Sequence, residues 1–185
     1  MSRVSKGLAC ALAAGLCSLM IAVPAQAKKD RVVGGHATVT PAAQITAFLR
    51  SRGITVTPIG AMSVGNGSLT MPMVSGQVDP GNMQGTMVTS GGLQYTNGSK
   101  KVVIRAYRLI HTAHGARLTA VVNGHRILIA TMVGTKVKMS GKHGTMTGGL
   151  KLSAAWAHLI NHLVGKRVVH PGEDIGELSA TIKMA

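Results

Sequence analysis

Residues 118–129 have the sequence LTAVVNGHRILI, two apolar runs separated by an Asn-Gly pair. Asn-Gly favours a type I′ turn, because both residues tolerate the positive φ angles that match the twist of paired strands. Counting outward from the turn pairs Val122 with His125, Ala120 with Ile127 and Leu118 with Ile129. These positions share one largely apolar face. We therefore predict a hairpin that lies over the core, with His125 at its rim.

The pattern of this hairpin extends in both directions. From Ile54 to Lys151, short runs of alternating apolar and polar residues are interrupted by Gly, Asn and Pro, a pattern typical of β-sheet. Asn97-Gly98 marks another turn, before a long strand over 101–110. The predicted fold is a single mainly-β domain, either a β-sandwich or a flattened barrel.

Two short helices are predicted at about 41–52 and 154–164. For the first, Thr40 is the N-cap, Pro41 the first helical residue and Gly53 the C-terminal residue in the left-handed conformation. For the second, Ser153 and Gly165 have the corresponding roles. The second helix has apolar residues at i, i+3, i+4 and i+7, which predict its buried face: Trp156, Leu159, Ile160 and Leu163.

The sequence at the amino terminus predicts that the protein is exported. Residues 1–27 have a basic start, an uncharged apolar stretch and an Ala25-Gln26-Ala27 cleavage site, the pattern of a signal peptide. Its removal leaves 158 residues without cysteine and without a transmembrane segment. Residues 28–40 are interpreted as a flexible basic lead-in, and 41–185 as one β-rich domain. The expected location is secreted or extracellular, with association to the cell surface as a further possibility.

The charge of this cleaved chain is strongly positive, with 18 Lys and Arg against five acids, a formal +13. Such a charge favours an anionic partner such as a cell-envelope polymer, although it is also explained by solubility alone. Only four aromatic residues are present, too few for a row of rings that stack on bases. Specific nucleic-acid recognition is therefore not expected.

The acidic residues argue against an enzyme. Asp79 is the only carboxylate between Arg31 and Gly172, and Asp79-Pro80-Gly81 is a tight-turn sequence in which Asp79 has a structural role. Glycosidases mostly need two carboxylates across one bond. The sequence also lacks the G-x-S-x-G, H-E-x-x-H, P-loop and dinucleotide-binding motifs. These observations predict a non-enzymatic protein.

Histidines are the only abundant candidate ligands. His158 and His162 are four residues apart on the second predicted helix, a spacing that lets two imidazoles share one metal ion. On a helical wheel both lie away from the buried face, and no carboxylate lies nearby in sequence to orient them. Two solvated histidines on a polar face explain the spacing equally simply, and this alternative is preferred.

A second candidate site lies at the end of the strand over 101–110. His111 and His114 flank the turn residues 112–113, and Tyr107 precedes them on the same strand. Binding proteins hold haem iron through Tyr or His side chains, so these three residues are a candidate haem site. The alternative interpretation is that His111 and His114 are loop histidines without a ligand.

Several short motifs resemble the secreted actinobacterial HtaA-like domains. They are Ser90-Gly91-Gly92-Leu93-x-Tyr95, the strand Leu118-Thr119-Ala120-x-Val122, Leu152-Ser153-Ala154-Ala155-x-Ala157 before Asn161, and Gly172-x-x-Ile175-Gly176. The resemblance covers roughly residues 42–184. It implies a β-rich domain exported to the cell surface and linked to haem uptake.

The resemblance also implies a haem-binding Tyr near the start of the domain and a His in the Gly-rich strand. At these places the chain has Phe48 and the pair Thr89-Ser90. Two functions are therefore retained as hypotheses. One is a secreted binding protein of the cell surface linked to haem or iron uptake, and the other is a basic, polyanion-associated envelope protein without a small-molecule ligand.

Overall fold

The computed structural model describes residues 28–185, so the predicted signal peptide lies outside the described part. These residues form eleven strands and two helices. The strands are β1 Asp30–Pro41, β2 Thr55–Ile59, β3 Ser63–Gly65, β4 Ser68–Val78, β5 Gly85–Thr89, β6 Gly92–Asn97, β7 Lys100–Thr112, β8 Gly115–Val122, β9 His125–Ser140, β10 His143–Leu152 and β11 Asp174–Met184. The helices are α1 Ala43–Ser51 and α2 Ala154–Val164.

Eight antiparallel strands close into a barrel in the order β7-β5-β4-β1-β11-β10-β9-β8, and β8 pairs back with β7. The other three strands lie outside this ring. β6 pairs with the first half of β7, β2 pairs with β6, and β3 pairs with β4. The structure thus confirms the mainly-β prediction, and of the two predicted architectures it is the barrel with two short helices.

The prediction of a flexible lead-in at 28–40 is wrong for most of that segment. Asp30–Pro41 is strand β1, which lies between β4 and β11, and its Val32 and Ala37 are 1% exposed. Gly35 lies against the backbone of Thr181 with φ +126°, where a side chain would clash. The partners of β1 are distant in sequence, so the local pattern did not reveal them.

Local signals predicted the hairpin and α2 well. Asn123 and Gly124 both have positive φ, and Val122 pairs with His125. A bulge moves the partner of Leu118 from the expected Ile129 to Ala130.

In α2 the Ser153 hydroxyl accepts a hydrogen bond from the Trp156 amide, and Gly165 is left-handed at φ 82°. Leu159 is only half-buried, while Ala157 is buried.

Helix α1 begins two residues later than predicted. Its N-cap is Ala42 and not Thr40, and no side chain caps it. Pro41 is the last residue of β1, where it pairs with Gly176, so strand pairing places it outside the helix. Within residues 28–185, no helix has the length and apolar character that a membrane span needs.

The barrel has two distinct ends. The closed end carries the turns at 79–84, 112–115 and 140–143, and fully buried methionines fill its interior: Met83, Met87, Met146 and Met184. The open end is covered by α1, β2, β6 and α2. The structural role predicted for Asp79 is visible at the closed end, where its carboxylate accepts hydrogen bonds from the Gly81 amide and the Asn82 side chain.

Candidate functional site

A cavity of about 520 Å³ occupies the open end of the barrel. This volume lies within the range of small-molecule sites, roughly 300–1,000 Å³. Its walls come from both helices, from β2 and β6, and from the barrel strands below them. Most of the lining is aliphatic or thioether, including Ile45, Leu49, Ile54, Val56, Met62, Leu69, Met71, Leu118, Ile129, Leu150, Leu152 and Ile160.

All four aromatic side chains of the protein line this one cavity. Phe48 comes from α1, Tyr95 from β6, Tyr107 from β7 and Trp156 from α2. Elements separated by more than a hundred residues therefore direct their rings to one place. Rigid rings cover large areas and their quadrupoles favour contact with flat π-systems. The cavity is thus suited to a ligand that is largely apolar.

A bulge in β7 brings Tyr107 into the cavity. Val102 and Ile104 face the interior, and continued alternation would place residue 107 on the outer face beside Arg105. Ala106 instead has φ 51°, and the pairing with β8 shifts between Arg105 and Arg108. The extra residue reverses the alternation. Tyr107 consequently points inward and is only 4% exposed.

Contacts between β6 and α2 fix another part of the cavity wall. The rings of Tyr95 and Trp156 meet edge to face, with centroids 5.2 Å apart and planes inclined by 68°. Beside them the Asn97 side-chain amide donates to the Leu163 carbonyl at 3.2 Å. Lys100 donates to the His162 carbonyl at the same distance. These bonds satisfy carbonyls at the end of α2 and position its Trp156 against the cavity.

None of the side-chain hydrogen bonds among residues 28–185 involves the hydroxyl of Tyr95 or Tyr107. Burial raises the pKa of Tyr95 and of Tyr107, and the proximity of Tyr95 raises the pKa of Tyr107 further. Both phenols are therefore neutral at physiological pH. Each presents an uncommitted O–H group to the cavity, which is otherwise lined mainly by carbon and sulfur.

The structure places only one residue of the predicted haem site in this cavity. Tyr107 lines it, whereas His111 and His114 do not. His111 lies four residues further along β7, about 13 Å away at the usual rise, and pairs with Gly85 and Ala116. Its Nδ1 atom is buried without a partner among the described residues. His114 is exposed in the turn after β7.

His158 and His162 lie on the outer face of α2, and both are exposed. The helix confirms their spacing and their position away from the core. Within residues 28–185 no three His, Asp or Glu side chains come close enough together to hold a metal ion. The two-histidine metal site therefore stays a prediction.

Sequence reasoning missed three residues of the cavity wall as a site: Phe48, Tyr95 and Trp156. Phe48 and Trp156 were placed correctly in the two helices, and Tyr95 lies in the region predicted to be β-sheet, but their convergence depends on long-range pairing of β6 with β7 and on the packing of α2. The available signal was composition. The chain has only four Phe, Tyr and Trp residues, and so few rings could have suggested that they gather at one place.

Comparisons with known proteins support the architecture. The sequence matches no protein-family profile and no curated protein. The structure is similar to the C-terminal domain of HtaA from Corynebacterium glutamicum, with a TM-score of 0.72 and 16% identity over 84% of this chain and 99% of that domain. The N-terminal domain of the same protein gives a TM-score of 0.59 and 12% identity over 83% of this chain and 98% of that one.

A further similar structure is the haem-binding protein HtaB from the same organism, with a TM-score of 0.58 and 13% identity. The match covers 85% of this chain and 97% of HtaB. At such identities the likeness concerns the fold. The chain therefore has an HtaA-like fold, as its short motifs predicted.

Proposed function

We propose that the protein is an exported, non-enzymatic binding protein that holds haem in the cavity at the open end of the barrel. The observation that carries the proposal is the convergence of all four rings on one apolar cavity of about 520 Å³. The fold is shared with HtaB, a haem-binding protein. The predicted signal peptide and the scarcity of carboxylates support export and a binding role.

The donor set of the cavity fits the iron of haem. A phenol oxygen is a hard ligand suited to iron(III), and Tyr is one of the side chains that hold haem iron. Tyr107 is the better candidate of the two tyrosines, because it is buried on a barrel strand, whereas Tyr95 is half-buried and its ring packs edge to face against Trp156. The aliphatic residues and Trp156 would cover the faces of the macrocycle.

Binding through a phenolate requires Tyr107 to lose its proton. Because burial raises its pKa, the free protein holds that proton firmly, and haem binding would release it. The affinity for haem should therefore increase with pH in the neutral range. A ligand held only by apolar contacts would show no such dependence.

The test compares iron-containing haem with metal-free protoporphyrin IX. We expect Tyr107→Phe to weaken haem binding at least tenfold, about 1.4 kcal/mol, and to change the Soret band. The affinity for protoporphyrin should change less than threefold, since the ring still fits. Tyr95→Phe is the matched control in the same cavity. Equal affinity of Tyr107→Phe and wild type for haem would remove Tyr107 as the ligand.

Two further variants test the location. Ile160→Trp fills the cavity from α2 and should abolish binding of both porphyrins, so retained affinity would reject the cavity as the site. His111→Ala/His114→Ala examines the site predicted from sequence. The cavity proposal expects unchanged haem affinity in this double variant, whereas a site built from Tyr107, His111 and His114 predicts loss.

A further inference from the structure

A second feature lies on the outside of the barrel, and it is independent of the cavity. Four arginines occupy neighbouring outward positions on β7, β8 and β9. We call this surface the arginine face: Arg105, Arg108, Arg117 and Arg126. All four are exposed. Strand pairing brings them together, since Arg105 and Arg126 are both opposite Val121, and Arg108 is opposite Thr119, two residues from Arg117.

No acidic residue balances this charge locally. The sequence contains no Asp or Glu between Asp79 and Glu173, an interval that includes all three strands. The ion pairs of residues 28–185 are Lys151 with Asp174 and His170 with Glu173, both elsewhere on the surface. Because Arg105 and Arg126 flank the same position of β8, their backbones are two strand spacings apart, about 10 Å, and an anion would stabilise the like charges that they carry.

Arg126 shows that the face is structured. Its Nη1 group reaches over β8, donating to the Ala106 carbonyl at 3.0 Å and to the Thr119 hydroxyl at 3.2 Å. The Thr119 hydroxyl in turn donates to the Arg108 carbonyl at 3.4 Å. Partial burial and the nearby charge of Arg108 lower the pKa of Arg126. The bulge that turns Tyr107 inward thus also supplies the carbonyl that fixes this guanidinium.

We propose that the arginine face docks a linear polymer that carries phosphate groups. Guanidinium groups bind phosphate through paired N–H donors, and the tetrahedral oxygens of one phosphate can be shared by arginines of adjacent strands. All four aromatic rings line the cavity, so this face has none for stacking on bases or sugars. It also lacks the aromatic anchors of a membrane-binding surface. Recognition would rest on the charged backbone alone.

The experiment measures binding of the purified protein to labelled inorganic polyphosphate as a function of salt. Arg105→Gln/Arg108→Gln removes two charges from the face; the described structure shows no side-chain hydrogen bond for either residue. We expect at least tenfold weaker binding and a decrease of about 1.4 in the salt slope, two contacts at roughly 0.7 each. An unchanged melting temperature would confirm that the variant folds.

The matched control is Lys136→Gln/Lys138→Gln, which removes the same amount of charge from exposed positions. Both positions lie on β9, about 30 Å or more along the strand from Arg126. We expect less than a threefold change. Equal weakening by the two double variants would show that net charge, and not this face, attracts the polymer, and would overturn the proposal.

Two other anions test the assignment of the partner. Polyglutamate should bind at least tenfold more weakly than polyphosphate of similar length, and equal binding would overturn the preference for phosphate. Vesicles of phosphatidylglycerol should bind weakly and without sensitivity to the arginine substitutions. Tight vesicle binding that is lost in Arg105→Gln/Arg108→Gln would assign the face to a lipid surface instead. Haem binding in the cavity is not affected by either result.

Discussion

At the closed end of the barrel Met83, Met87 and Met146 are completely buried, whereas the open end surrounds a cavity of about 520 Å³ with four rings. The two ends belong to the same closed set of strands, but the open end is also covered by α1, β2, β6 and α2, and α1, β6 and α2 supply three of the four rings. Thioethers are flexible and fill irregular space, while rings are rigid. Methionines fill the closed end, whereas the cavity at the open end is bordered by all four rings together with aliphatic side chains and two methionines, Met62 and Met71.

Contacts at Gly144 show how tightly the closed end is filled. A Cβ atom at this position would lie 2.7 Å from the sulfur of Met83 and 3.1 Å from that of Met139. The methionines therefore occupy the space that a larger residue on β10 would take. Interiors packed in this way respond to small changes of volume. The open end, which already contains empty volume, should respond much less.

The largest expected effect comes from shortening one methionine at each end. Met146→Ala at the closed end should lower the free energy of unfolding by about 3 kcal/mol, through lost burial and a new cavity. Met71→Ala is the matched variant, because Met71 is also 2% exposed or less but lines the existing cavity. Because Met71 borders the cavity, part of its side chain has no packed neighbours whose contacts could be lost. We therefore expect Met71→Ala to lower the free energy of unfolding by no more than half as much. Urea denaturation of both variants measures the difference, and equal losses would contradict the contrast.

The sequence predicted those parts of the fold that depend on neighbouring residues. Asn123-Gly124 specifies its own turn, and Ser153 and Gly165 cap α2 through groups only a few residues away. Strand β1 could not be predicted in this way, because its burial depends on β4 and β11. The latter lies more than 130 residues further along the chain. The late start of α1 has the same cause, since the pairing of Pro41 with Gly176 is a long-range contact.

The next effect comes from adding volume. Ile182 at the closed end is 0% exposed and pairs with Gly35 and Gly144, two positions without side chains. Ile182→Phe should overpack this region and cost about 2 kcal/mol. Ile160→Phe on α2 adds the same volume at the cavity and should change stability by less than about 1 kcal/mol. A similar cost at both positions would show that the open end is as rigidly packed as the closed end.

The alkaline range tests the tyrosines. Burial raises the pKa of Tyr107 in the folded protein, whereas the unfolded chain ionises near pH 10. Above pH 10 the unfolded chain loses the Tyr107 proton, whereas the folded protein keeps it. The contribution of Tyr107 to the free energy of unfolding is therefore fully present below pH 10 and decreases as the pH rises. By pH 11 the loss due to Tyr107 should reach about 1.4 kcal/mol.

Tyr107→Phe removes this contribution, so its stability should fall less than that of wild type between pH 8 and pH 11. Urea denaturation across this range measures the difference. Lys and Arg residues are the same in both proteins, and their contribution cancels. Parallel curves for the two proteins would mean that the hydroxyl of Tyr107 is open to water.

The candidate site was harder to predict than the fold. Strand alternation alone assigns Tyr107 to the outer face, and only the bulge at Ala106 turns it inward. His111 and His114 are close to Tyr107 in sequence, but β7 is extended and carries them toward the closed end. Residues close to Tyr107 along the strand are therefore not its neighbours in the cavity. Those neighbours include Tyr95 and Trp156, which come from other elements.

The smallest expected effect concerns the two faces of α2. Trp156 and Ile160 face the cavity, while His158 and His162 face away from it and are exposed. His158→Ala/His162→Ala should therefore change stability by no more than about 0.5 kcal/mol and leave porphyrin affinity unaltered.

The same double variant tests the predicted metal site. Two imidazoles without an orienting carboxylate form a weak site, and at a Zn²⁺ concentration equal to its Kd the stabilisation is only about 0.4 kcal/mol.

Thermal unfolding with and without Zn²⁺ separates the two interpretations of this pair. A small stabilisation in wild type that disappears in the double variant would establish chelation across one turn of α2. No stabilisation in either protein would assign both histidines to a solvated helix face. Loss of porphyrin binding in the double variant would instead contradict the division of α2 into a cavity face and a solvent face. Substitutions on the exposed face would then alter the cavity, which the division excludes.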